Sequence, residues 1–174
     1  MGKTIIEFIN EIDFFLDFVQ PEYFVVPTGS LVLEDKQIGF FNKEFVKNFF
    51  RKLNNPTIKL KEHNADYLNS AEIQMRKKYI GALNIAPQFG VNQMMFVLTE
   101  SKKYGIEVSD FLNDCYNSKK WTKWLEKSTK KNILQCSILA GHYNFNKKSY
   151  SEIIKKLIAE DKNFKDNIIN FHYD

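Results

Sequence analysis

Three short apolar runs alternate with helical patterns up to residue 105, and this alternation constrains the fold more than any other feature. The runs are "YFVVPTGS" (Tyr23 to Ser30), "TIKLKEH" (Thr57 to His63) and "ALNIAP" (Ala82 to Pro87). Ile5, Ile6, Ile9, Ile12, Leu16 and Val19, widened by Phe8 and Phe15, recur at helical spacing over residues 3–19, and Pro21 stops that pattern. Asn42 caps a second helix, of about twelve residues, with Phe45, Val46, Phe49, Phe50 and Leu53 inward. Ser70 caps a third helix over 70–79, which Gly81 ends. Asn92 to Tyr104 forms a fourth, closed by Gly105, and residues 31–41 between strand and helix read as irregular. Apolar strands alternating with amphipathic helices predict an α/β fold with about three parallel strands. From Ser109 onward the patterns are helical only, with joints near Asn117-Ser118, Gly141 to Asn146 and Asp161 to Asn163. The expected organisation is therefore a βα region over residues 1–108 and a helical C-terminal extension over 109–174.

Composition narrows the class. Hydrophobic residues make up 44% and aromatics 15%, too apolar for a disordered chain. The 25 basic and 21 acidic residues are interspersed, so a nucleic-acid partner is not expected. The lysine-rich "KKWTKWLEKSTKK" (Lys119 to Lys131) reads as an amphipathic helix, with Trp121, Trp124, Leu125 and Ser128 on one face and the lysines solvated. A basic, aromatic-interleaved strip of this kind can also bind nucleic acid. Glu7, Glu11, Asp13 and Asp17 interrupt the apolar opening segment, which excludes a secretory core or membrane span there. Cys115 and Cys136 lie in unrelated contexts with no Cys/His cluster, so neither structural zinc nor a disulfide framework is expected and the chain reads as cytoplasmic. The "GKT" at Gly2 to Thr4 lacks the upstream strand and glycine of a phosphate loop.

Each apolar run ends in a polar or turn-rich loop: "PTGS", "HNADY" and "APQFG". Parallel α/β folds place ligands at the C-terminal ends of their strands. The stretch "KEHNADYLNS" gathers Glu62, His63, Asn64, Asp66 and Tyr67 at the second strand end. Thr28, Gly29 and Ser30 come from the first, and Asn84, Gln88 and Gly90 from the third. Two glycine turns, Thr28-Gly29-Ser30 and Phe89-Gly90-Val91-Asn92, are candidate phosphate cradles, since phosphate binds backbone N–H groups at helix N-termini. A purely structural alternative has His63 donating to a backbone carbonyl, Asp66 accepting amides and Tyr67 packing below the loop. A closed barrel needs eight strands and about 250 residues. The chain therefore folds either as a small three-stranded layer or as the C-terminal portion of a TIM-type (β/α) barrel.

The ordered segments "YFVVPTGSLVLEDKQIGFFN", "TIKLKEHNADYLNS" and "GALNIAPQFGVNQMMFVLTESKKYG", followed by "LAGHYNFNKKSYSEIIKKLI", resemble the C-terminal half of the tagatose-bisphosphate aldolase accessory subunits. The resemblance covers most of residues 20–160 and implies a partial barrel related to the class II, zinc-dependent ketose-bisphosphate aldolases. It implies an accessory role, because such subunits usually stabilise a separate catalytic subunit. It places His63 where catalytic relatives hold a zinc ligand; His63, Asp66 and Asn84, from the ends of the second and third strands, are the candidate catalytic set. The sugar phosphate would meet Thr28, Gly29, Ser30, Glu62, Asn64, Tyr67, Gln88 and Gly90.

Three functions follow as expectations: an accessory sugar-phosphate-binding subunit, a metal-dependent aldolase completed by another chain or by absent sequence, and a protein-interaction module. A sheet this small is expected to leave Val25, Ile58, Leu60, Leu83 and Ile85 on an open face. Wet residues of this kind would cost several kcal/mol at about 25 cal/mol per Å². Either the helical tail from Ser109 folds back over that face or a second chain covers it; a second chain, a catalytic subunit or a second copy in a symmetric dimer, is the expectation.

Overall fold

The computed structural model describes residues 4–53, 55–125 and 132–171. The chain divides into two compact units, residues 1–32 with 36–85 and residues 33–35 with 86–174. The division thus falls at Ile85/Ala86 rather than at residue 108, because the helix that follows shares its apolar core with the C-terminal helices.

The first unit is α/β. Helix α1 (Ile5–Leu16) opens on a capping box in which the Thr4 side chain accepts from the Glu7 N–H and the Glu7 side chain accepts from the Thr4 N–H. Strand β1 (Tyr23–Val25) follows, then a hairpin of β2 (Val32–Leu33) and β3 (Lys36–Gln37) within the segment expected to be irregular. Helix α2 (Lys43–Leu53) starts where the Asn42 side chain accepts from the Phe45 N–H at 2.9 Å. Strand β4 (Lys59–Glu62), helix α3 (Ser70–Arg76) and strand β5 (Ile80–Leu83) complete the unit. Helix α3 is capped one residue earlier than expected, by Asn69 with Glu72 closing the box. Gly81 lies inside β5 instead of ending the preceding helix.

The sheet has the order β1-β4-β5, and both pairings are parallel, as the alternation predicts. Phe24 stands opposite Leu60, and Leu60 opposite Ile80. One face of the sheet packs on α1 and α2 through a core of Ile12, Val26, Val46, Phe49, Leu53, Ile58 and Leu60. The expected wet face is therefore corrected for two residues: Ile58 and Leu60 are buried within this unit, and of the five Val25 is the most exposed, at 46%. The reason is the period of two along β4, which sends Ile58, Leu60 and Glu62 inward and Lys59 outward. Helix α1 contributes only Ile12 as a fully buried residue and leaves Phe14 and Phe15 exposed, as is Phe18 just beyond its end.

The second unit is helical. It holds α4 (Pro87–Lys103), α5 (Ser109–Asn117), a 3-10 turn at Lys120–Lys123, α6 (Ile133–Ala140), a 3-10 turn at Gly141–Asn144, α7 (Lys148–Glu160) and α8 (Phe164–Asn170). Helix α4 begins five residues before the expected Asn92, with Pro87 at its first turn, where a missing N–H costs nothing. Met94, Val97, Phe111, Cys115, Tyr150, Ile153, Leu157 and Phe164 form its main core. Trp121 and Leu125 are buried as expected but sit on and after a 3-10 turn, not on a long amphipathic helix; Ser128 lies outside the described residues. No described helix is long and apolar enough to cross a membrane.

Candidate functional site

The C-terminal edge of the sheet is built by two loops of the first unit. Backbone pairing continues past the ends of β4 and β5: the Asn84 N–H donates to Glu62 O at 2.9 Å, and the Ala65 N–H donates to Asn84 O at 3.2 Å. This pins the "HNADY" loop against the residue after β5. The loop turns through two left-handed residues other than glycine, Asn64 at φ +55° and Tyr67 at φ +58°. Such backbone costs of order 1–3 kcal/mol per residue and persists only where surrounding contacts enforce it.

Gln37 supplies that enforcement. Its Nε2 donates to Asn64 O at 2.7 Å and to Asp66 O at 3.2 Å. Its Oε1 accepts from the N–H groups of Leu31 at 2.6 Å and Gly39 at 3.2 Å. One amide side chain therefore ties the loop after β1 to the loop after β4.

His63 and Asn84 meet on the exposed side of this edge. Asn84 Nδ2 lies 3.2 Å from His63 Nδ1. With the amide as donor, Nδ1 accepts and the ring proton sits on Nε2. Asp66, the third residue expected with them, is fully buried at 0% exposure, beneath the loop and out of reach of a ligand in solution.

Glu62 and Ser30 have a different use from the expected one. Glu62 is at 0% exposure, and both its oxygens lie 3.0 Å from Arg76 Nε. Ser30 Oγ donates to Glu62 Oε1 and accepts from Arg76 Nη2 at 3.1 Å. Arg76 Nη1 donates to Glu72 O at 2.9 Å, and its guanidinium lies 4.7 Å from the centre of the Phe41 ring. Thr28 is buried, and its carbonyl accepts from the Asn42 N–H at 2.7 Å. Gly29, at φ +99°, takes a turn in which a Cβ would stand 2.1 Å from Phe40 O.

Gln88 and Gly90 belong to the second unit, in the first turns of α4. Gly90 does not present its N–H at a helix N-terminus. That group donates to Ala86 O at 3.3 Å, and a Cβ on Gly90 would stand 2.4 Å from His142 Cβ. The glycine is there to admit the His142 ring.

Gln37 and Arg76, which shape the site, carried no sequence signal. Gln37 lies in a segment read as irregular, and Arg76 in a solvated-looking "RKK" run. The bonds that tie them across the site reach partners 27 to 46 residues away. Among the described residues no group of three or more His, Cys, Asp and Glu is arranged to hold a metal ion. No family model, curated protein or solved structure matches the chain.

Proposed function

We propose that the chain is a sugar-phosphate-binding, aldolase-like protein, an accessory subunit of a class II ketose-bisphosphate aldolase in cytoplasmic carbohydrate metabolism, and that its βα unit is the C-terminal portion of a TIM-type barrel. The observation that carries this reading is the pairing of His63 with Asn84 at the C-terminal ends of adjacent parallel strands. Parallel α/β sheets bind ligands at that edge. His63 Nε2–H is the donor available to a ketose or phosphate oxygen, Asn84 orients the ring, and the strained, Gln37-held loop keeps both in place. Glu62 and Ser30, locked to Arg76, act by holding the edge rigid.

The described residues do not fit a catalytic zinc on their own. Such a site takes three protein ligands, and beside His63 the nearest carboxylate in sequence, Glu62, is committed to Arg76. This is compatible with an accessory role, in which any metal ligands would be supplied by another chain.

A second chain also answers an exposed face. Parallel sheets are covered on both faces, yet Tyr23, Val25 and Lys59 on the side away from the core are exposed, as are Phe14 of α1 and Phe18 just after it. The partner is a catalytic aldolase subunit or a second copy of this chain.

Calorimetric titration of tagatose 1,6-bisphosphate and fructose 1,6-bisphosphate into the wild type and His63→Ala tests the ligand. The expected result is saturable binding of one bisphosphate and a loss of about tenfold in the variant, with stability changed by less than ~1 kcal/mol. No saturable binding by the wild type, or a His63→Ala chain that unfolds, sinks the reading. Light scattering tests the partner: a monomeric, cooperatively unfolding chain that also ignores an added catalytic subunit removes it.

A further inference from the structure

The opposite end of the same sheet carries a second concave surface. Strand β5 is entered through Lys78 and Tyr79, a turn fixed by the Tyr79 N–H donating to Arg76 O at 2.8 Å. Beside it runs the outer face of α2. Lys47, Phe50 and Arg51 stand at i, i+3 and i+4 and share that face, while Val46, Phe49 and Leu53 on the other side are buried in the core. Lys47, Phe50, Arg51, Lys78 and Tyr79 line an open cavity of about 450 Å³.

The lining has three cations and no carboxylate. Among the described residues no ion pair joins Lys47, Arg51 or Lys78 to an acid. Arg51 makes only a long contact from Nη1 to Asn48 Oδ1, at 3.4 Å. Arg51 has a structural reason to be where it is, since a cation in the last turn complements the helix dipole. That reason does not extend to Lys47 in mid-helix or to Lys78 on another element. Like charges converging on one concavity repel unless an anion lies between them. Between the cations stand two half-buried rings, Phe50 and Tyr79, with Lys78 Nζ 6.0 Å from the centre of the Tyr79 ring. Both rings pack against the core of this unit and are half-exposed where they line the cavity; phosphate alone would use the cations and leave those exposed ring surfaces uncovered. A ligand with both a polyanionic end and a flat, stacking end uses all five residues, and the cavity is of small-molecule size.

We propose that this end of the sheet binds a nucleoside diphosphate or triphosphate: Lys47, Arg51 and Lys78 hold the phosphates, and Tyr79 and Phe50 receive the base. The site is independent of the His63–Asn84 edge, which lies at the other ends of the strands. A polynucleotide is the weaker candidate, because single-strand binders track the backbone along an extended basic groove, and this cluster is confined to one cavity.

The test is calorimetry on the full chain at low ionic strength with three probes: ADP, inorganic pyrophosphate and a single-stranded oligothymidylate. ADP is expected to bind saturably with one site per chain, and more tightly than pyrophosphate. Lys47→Gln and Lys78→Gln each weaken both small ligands by about tenfold. Tyr79→Leu weakens ADP by about tenfold and leaves pyrophosphate unchanged. Thermal melts accompany each variant, and Lys78→Gln, at an exposed position, keeps the test decisive if Tyr79→Leu loosens the fold. The proposal is overturned by ADP failing to saturate at millimolar concentration, or by both lysine variants binding as the wild type does. It is equally overturned by pyrophosphate matching ADP with no effect of Tyr79→Leu, or by the oligothymidylate binding more tightly than ADP through the same residues.

Discussion

Arg76 Nε stands 3.0 Å from each carboxylate oxygen of Glu62, with the two side chains only 3% and 0% exposed. Through its other nitrogens Arg76 also reaches Ser30 on the loop after β1 and the backbone of its own helix. One ion pair thereby joins the first strand end, β4 and α3.

Removing one partner of a buried pair leaves an uncompensated charge. Arg76→Met is expected to lower stability by about 3–5 kcal/mol, and Glu62→Leu with Arg76→Met together by clearly less. Urea unfolding of the single and double variants measures this. With Glu62→Leu measured alone as well, a double-variant loss equal to the sum of the two single losses would show that the pair is not coupled.

Gln37→Ala removes four hydrogen bonds, two within its own segment and two that cross to the loop after β4. The loop carbonyls can turn to water, so the expected cost is about 1–3 kcal/mol. The larger effect is local. Amide exchange should quicken over residues 63–67, where Asn64 and Tyr67 hold left-handed backbone, and bisphosphate affinity should fall with it. Unchanged exchange there would assign the enforcement to other contacts.

Gly90→Ala separates two roles for one glycine. A Cβ would stand 2.4 Å from His142 Cβ, so overpacking should cost about 1–3 kcal/mol. Were Gly90 a phosphate cradle instead, the variant would keep its stability and lose ligand. Melting curves and a bisphosphate titration on the same sample distinguish the two outcomes.

His142 is expected to make the chain acid-sensitive. Burial lowers the imidazole below its usual value, and its Nδ1 is buried without a hydrogen-bond partner. The unfolded chain takes up a proton near the ordinary histidine value while the folded chain still resists it. Stability is therefore complete above about pH 6.5 and falls as pH drops from there toward the lowered value. His142→Phe should flatten that part of the stability profile. A wild-type profile level across this window would show that the ring charges freely in the fold.

The element order was legible in the sequence, because hydrophobic period is a local property. Helical spacing over Ile5 to Leu16, the period of two in "TIKLKEH" and the turn-rich strand ends each depend on a few neighbouring residues. They correctly implied three parallel strands, and they singled out His63 and Asn84, which the fold brings together. Boundaries were less legible. Gly81 looked like a helix stop yet lies in β5, packed so close to Lys59 that a Cβ would meet that side chain at 2.8 Å. That preference comes from a neighbouring strand, not from the flanking sequence.

What only the tertiary structure decided is how each polar group is used. Glu62 and His63 are adjacent in the chain, and strand alternation sends one into the core and the other to water. Glu62 can stay buried only because Ser30 and Arg76, 32 residues before it and 14 after, arrive on the same point. Gly90 looked like a turn and proved to be the space for a ring 52 positions away. A buried charge or a missing Cβ is explained by the atoms that surround it in space. Those atoms come from distant parts of the chain, so no pattern of nearby residues could have announced them.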